Sequence, residues 1–80
     1  MPGERLSYTA QLDDVWIYIY QHEPVRMRDL ERAFIATKKL SRSSLYRYRK
    51  HLIGQGKIEA KPVSGTPPHN LYFVPSQYHP

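Results

Sequence analysis

Helix breakers cut this chain into short pieces. Pro24 blocks continuation of any helix before it, because the proline ring pushes Glu23 out of the helical region. Gly54 or Gly56 ends a later stretch, since glycine takes the left-handed C-cap conformation without strain. The segment SGTPPHN, residues 64 to 70, is turn chemistry, and Pro75 stops the extended run that follows it. Each piece must therefore be a short helix or a short strand. With 80 residues the chain forms one domain, and a domain of that size hides only ~60% of its unfolded surface. No apolar run approaches the ~20 residues of a membrane span, and no signal-peptide pattern opens the chain.

Residues 1 to 8 have no periodic pattern, and a loose segment is expected over residues 1 to 9. Thr9 can serve as an N-cap, with Asp13 and Asp14 near the positive end of the helix dipole. The run VWIYIY, residues 15 to 20, favours a strand by propensity. Its frame favours a helix: Leu12, Val15, Trp16 and Ile19 fall at i, i+3, i+4 and i+7. The spacing predicts a helix over about residues 10 to 22. Ile17 and Tyr18 lie outside that stripe, where they either cover the edge of the core or form a homodimer face.

Val25 to Met27 reads as a short extended piece. A second helix is predicted from about Arg28 to Ala36, with Leu30, Ala33 and Phe34 buried. After a turn that tucks Leu40 inward, Ser41 is a good N-cap for a third helix running to about Ile53. On a helical wheel Leu45, Tyr48 and Leu52 cluster on one side. Ser43, Tyr46, Arg47 and Lys50 cluster on the other, flanked by Arg42. Residues 57 to 63 and 71 to 74 then read as two strands of a hairpin with a loop of about seven residues. Trp16, Phe34, Tyr48 and Phe73 are the expected core aromatics. Residues 76 to 80 are expected to trail off as a flexible tail.

Charge is unevenly spread. Residues 1 to 37 hold four Lys/Arg against six Asp/Glu, a balance of −2, whereas residues 38 to 80 hold eight against one, a balance of +7. The densest stretch is KKLSRSSLYRYRK, residues 38 to 50, with six cations and no acid. Ordinary exposed helices mix signs, since like charges a turn apart repel. The three serines at its start are short donors that let a backbone approach, and the helix dipole favours phosphate at the same end. These features point to a polyanionic partner more than to a merely solvated face.

The order of elements is α+β and mainly helical: helix, short strand, helix, turn, helix, strand, loop, strand. Over roughly residues 10 to 75 it resembles the winged helix-turn-helix family. The resemblance rests on PVRMRDLERAF for the second helix, LSRSSLYRYRKHLIGQGKIE for the recognition helix and its exit, and KIEAKPVSGTPPHNLYFV for the hairpin wing. Two departures stand out. The turn IATKKLS is a few residues longer than the usual one, and Arg49 occupies a position where such helices often carry an apolar residue.

The resemblance implies a double-stranded DNA-binding domain, as in a small transcriptional regulator, whose third helix enters the major groove. Arg42, Ser43, Tyr46 and Arg47 would then meet base edges, and Lys50 phosphate. Ser41 and Ser44 would flank them at the start of the helix, with Lys38 and Lys39 on the backbone. Lys61 and His69 are the polar tools of the wing, which would follow the backbone or minor groove. Arg26 and Arg28 would either touch phosphate or pair with Asp29 and Glu31. Winged helices also serve as protein-interaction modules, and the same basic helix would suit RNA.

No catalytic or metal-binding pattern competes with this reading. The four histidines, at 22, 51, 69 and 79, show no pair at ligand spacing, and no HExxH, Walker-type or dinucleotide-binding motif is present. Asp13 and Asp14 point to different sides of a helix. The expectation is a non-enzyme that needs no cofactor. The absence of cysteine excludes disulfides and thiolate metal sites and fits a reducing compartment, cytoplasmic beside the nucleoid or nuclear.

Overall fold

The VWIYIY segment is helical, so the apolar frame overrides the strand propensity of its residues. The computed structural model describes residues 8 to 80. Helix α1 spans Tyr8–His22. It buries Leu12, Val15 and Ile19, while Trp16 is half-buried and its indole Nε1 donates to the Lys57 carbonyl at 2.9 Å. An indole at a wet edge keeps its ring packed and its N–H satisfied. Thr9 lies inside α1 and is not its cap, and Asp13 and Asp14 fall beyond the first turn. Of the loose segment expected over residues 1 to 9, residues 1 to 7 lie outside the described residues. Residues 8 and 9 belong to α1.

Strand β1 (Val25–Arg26) leads directly into helix α2 (Met27–Leu30). The predicted single helix over 28 to 36 is instead this short α segment continued by a π-helical turn, Glu31–Ile35. There the Ala36 N–H reaches back five residues to the Glu31 carbonyl at 3.0 Å. Leu30 and Phe34 are buried and Ala33 half-buried. The chain then turns through Lys38, which adopts the left-handed conformation at φ 63°.

Helix α3 spans Arg42–Gly54 and begins at the expected cap, Ser41, whose Oγ accepts from the Ser44 N–H at 3.2 Å. It ends in a two-bond C-terminal lock. The Gly56 N–H reaches the Ile53 carbonyl and the Lys57 N–H the Leu52 carbonyl, each at 3.0 Å. Gly56 carries the positive φ, 74°, that this closure requires, so it and not Gly54 is the capping glycine.

Strand β2 (Glu59–Val63) pairs antiparallel with β3 (His69–Phe73), and β3 pairs antiparallel with β1, giving the sheet order β1-β3-β2. Val63 faces His69 and Glu59 faces Phe73. The hairpin loop is therefore residues 64 to 68, shorter than expected, because His69 and Asn70 join the ladder. The pleat decides which aromatic enters the core. Tyr72 shares its face with Val25 across β1 and is buried, as is Val74 two residues on. Phe73 points the other way and is half-buried, which corrects its expected place in the core.

Val15, Ile19, Leu30, Leu45, Leu52 and Ile58 are the most completely buried side chains. They come from α1, α2, α3 and the entry to β2. Burying each such side chain contributes about 1.5–3 kcal/mol against the cost of ordering a small chain. Tyr48 is buried with them, and its hydroxyl donates to Gln11 Oε1.

The expected flexible tail is packed instead. Ser76–Tyr78 form a 3-10 turn that sets Tyr78 edge-on to Trp16, ring centroids 5.8 Å apart, and His79 stacks on Tyr20 at 4.6 Å. Glu23 ties the segment down. Its Oε1 accepts the Val74 N–H at 2.7 Å and its Oε2 lies 2.6 Å from His79 Nε2. Aromatic surface on α1 thus supplies the tail with a partner. Among the described residues no helix is long and apolar enough to cross a membrane.

Candidate functional site

Helix α3 is oriented by its apolar stripe. Leu45, Tyr48 and Leu52 are buried, which turns Ser43, Tyr46, Arg47 and Lys50 outward. Tyr46 is 37% exposed, and Arg47 and Lys50 are exposed with no acidic partner among the described residues. The residues predicted for the outer face therefore lie there. What each can offer a partner differs.

Arg42 is held by α2. Its Nη1 lies 2.7 Å from Glu31 Oε2, and the Tyr46 hydroxyl donates to the same oxygen at 2.8 Å. The π-helical turn that starts at Glu31 puts this carboxylate against the first two turns of α3. Hydrogen bonding with Tyr46, then the charge of Glu31, hold Arg42 even more firmly protonated than an ordinary guanidinium. An exposed pair of this kind adds little stability. Its consequence is electrostatic, since Glu31 cancels one of the cations counted for the face and occupies the Tyr46 hydroxyl.

The serines work locally. Ser41 caps α3, its Oγ also lies 3.0 Å from Ser44 Oγ, and Ser43 Oγ is 3.3 Å away. The Ser41 hydroxyl satisfies the Ser44 N–H and bonds the Ser44 hydroxyl, so both side chains are engaged at the helix start before any ligand arrives.

Arg49 is a different case. It lies between two tyrosines: its guanidinium carbon is 5.4 Å from the Tyr46 ring centroid and 5.8 Å from that of Tyr72. Its Nη1 donates to the Tyr72 hydroxyl at 3.1 Å, and its Nε is buried without a hydrogen-bond partner. Arg49 thus fills the place an apolar residue would take, through its stem and the cation–π contacts. Of the four Lys and Arg on α3, Arg47 and Lys50 point outward without such engagement among the described residues.

The remaining predicted residues are dispersed. Lys38 and Lys39 are exposed in the turn before α3, and Lys39 borders a cleft with Gln11, Asp14, Phe34 and Leu40, against α1. Lys61 sits exposed on β2, opposite Leu71. His69 is half-buried at the hairpin tip, its Nδ1 3.5 Å from the Pro67 carbonyl, in a groove it shares with Arg26 and Arg28. The sequence set Glu31 against Arg26 and Arg28, whereas its partner is Arg42; eleven residues separate the two and no periodicity links them.

On α1, Ile17 is 44% exposed. Tyr18 packs edge-on to Phe34 at 5.6 Å and stacks on His22 at 4.1 Å.

Comparison with protein-family models, with curated proteins and with solved structures found no match.

Proposed function

We propose that this chain is a winged-helix module that binds double-stranded DNA, with α3 in the major groove and the β2–β3 hairpin against the adjacent backbone, in the manner of a small transcriptional regulator. One observation carries the reading. The buried stripe Leu45, Tyr48 and Leu52 turns a row of Tyr46, Arg47 and Lys50 outward from a packed helix, and neither Arg47 nor Lys50 has an acidic partner among the described residues. A helix fits the major groove, and an arginine there can fork onto guanine O6 and N7. Three helices followed by a hairpin support the same reading, as does the sheet order in which that hairpin extends from β1.

Docking is driven by phosphate and is therefore salt-dependent. Each neutralised phosphate steepens the log–log salt dependence by ~0.9. Arg47 supplies base readout and Lys50 a backbone contact. Arg42 and Tyr46 join once they exchange Glu31 for the ligand.

Selection from random duplexes, followed by anisotropy titration at rising salt, tests this. A recovered motif whose preference is lost in Arg47→Ala is the expected result. Uniform weakening of all sequences by Arg47→Ala leaves only non-specific binding, and no salt-dependent binding defeats the reading.

A protein-interaction module is the second reading. It is favoured by exposed Ile17 and Ile53, 44% and 37% accessible, and by the partial neutralisation of Arg42. A partner retained after nuclease digestion selects it over DNA, and stronger competition by structured RNA than by duplex selects RNA.

A further inference from the structure

A groove of about 560 Å³ runs between the start of α2 and the tip of the β2–β3 hairpin. Arg26 and Arg28 line one side and His69 and Asn70 the other, with Met27 and Pro67 adding apolar surface. Its size is that of a small-ligand site.

The nearest acids along the chain are Glu23, Asp29 and Glu31, and each has its contacts elsewhere. Glu23 accepts the Val74 N–H and lies against His79. Asp29 Oδ2 accepts the Arg26 backbone N–H at 2.9 Å, and Glu31 Oε2 serves Arg42 and Tyr46. No carboxylate among the described residues lies within ion-pair distance of either guanidinium. Two guanidiniums without an ion-pair partner among the described residues attract an anion and can grip a phosphate through paired N–H donors. The opposite wall offers an amide and an imidazole, which hydrogen-bond to sugar or base, and Met27 with Pro67 gives a base an apolar surface.

We propose that this groove binds a nucleotide phosphate, supplied either by the backbone of a nucleic acid or by a free nucleotide. The site is separate from the α3 face. It extends the DNA reading if the phosphate belongs to a duplex, and it stands without that reading if the phosphate is free.

Amide chemical-shift titration of the whole chain with a short DNA duplex, and separately with adenosine monophosphate, distinguishes the two sources. Shifts at residues 26 to 28 and 69 to 70 are expected, and they disappear in the Arg26→Ala/Arg28→Ala variant. Both side chains are exposed, so circular dichroism should show that variant folded. For duplex binding, the variant should also lower the salt slope by about 0.9, the contribution of the one phosphate that the groove no longer neutralises. Groove shifts with duplex alone assign the phosphate to the backbone; shifts with the mononucleotide as well assign a nucleotide site. If α3 responds to duplex while the groove responds to neither probe, the groove proposal falls and the α3 reading stands. If the groove responds and α3 does not, the reverse holds. Silence at both defeats both, and groove shifts that persist unchanged in the double variant overturn the assignment to Arg26 and Arg28.

Discussion

Arg42 on α3 meets the Glu31 carboxylate at 2.7 Å, whereas Arg26 and Arg28 meet none among the described residues although Asp29 is their neighbour in the chain. Asp29 spends a carboxylate oxygen on the Arg26 backbone N–H, a helix-start contact. Glu31, two residues later, points its carboxylate at a different helix. The basic stretch 38 to 50 therefore offers less charge than its composition suggests. At the start of α2, where acid and base alternate closely, neither guanidinium is tied to a carboxylate among the described residues. Charge per segment counts residues. Available charge depends on which carboxylates are already committed.

That contrast can be broken experimentally. If Arg47 is open and Arg42 is not, Arg47→Ala should weaken duplex binding by about 1–3 kcal/mol, roughly fivefold to 150-fold. Arg42→Ala should weaken it less, and equal losses in an anisotropy titration would mean that the Glu31 contact does not limit Arg42. The serine cap comes next. Ser41→Ala should cost about 1 kcal/mol of stability by denaturant melting and leave the affinity of the folded protein unchanged. A loss of affinity beyond that would make Ser41 a ligand contact.

A smaller effect is expected in the turn. A non-glycine residue in the left-handed region costs about 1 kcal/mol, so Lys38→Gly should raise stability by up to that amount. Its duplex affinity should fall slightly with the missing charge, and a drop in melting temperature would contradict the strain at φ 63°. The smallest change sharpens the comparison most directly. Glu31→Gln removes the competing charge from Arg42 and Tyr46 and should tighten duplex binding by a few-fold at low salt. Weaker binding would show that Glu31 positions these two side chains and does not withhold them.

Much of the architecture was legible because it rests on local chemistry. The i, i+3, i+4, i+7 stripe of α1 outweighed its strand-like residues, Ser41 marked the start of α3, and the glycines after Ile53 marked its end. Errors arose where a distant partner decided. Residues 76 to 80 read as a loose tail, yet Trp16, Tyr20 and Glu23 supply partners from the far end of the chain. Phe73 read as core, yet the register against β1 put Tyr72 there. Arg49 stood out as an odd residue on α3, but only the approach of Tyr72 gives it a place.

By itself the sequence determined the order of the main helices and strands, the start of α3 and which face of α3 is apolar, since capping, periodicity and turn chemistry act over a few residues. Tertiary structure alone decided which charges remain available, because a carboxylate reaches whatever the fold brings within a few ångströms. Glu31 against Arg42, and Arg26 with Arg28 beside the hairpin tip, are set by packing between elements, for which the linear order carries no signal.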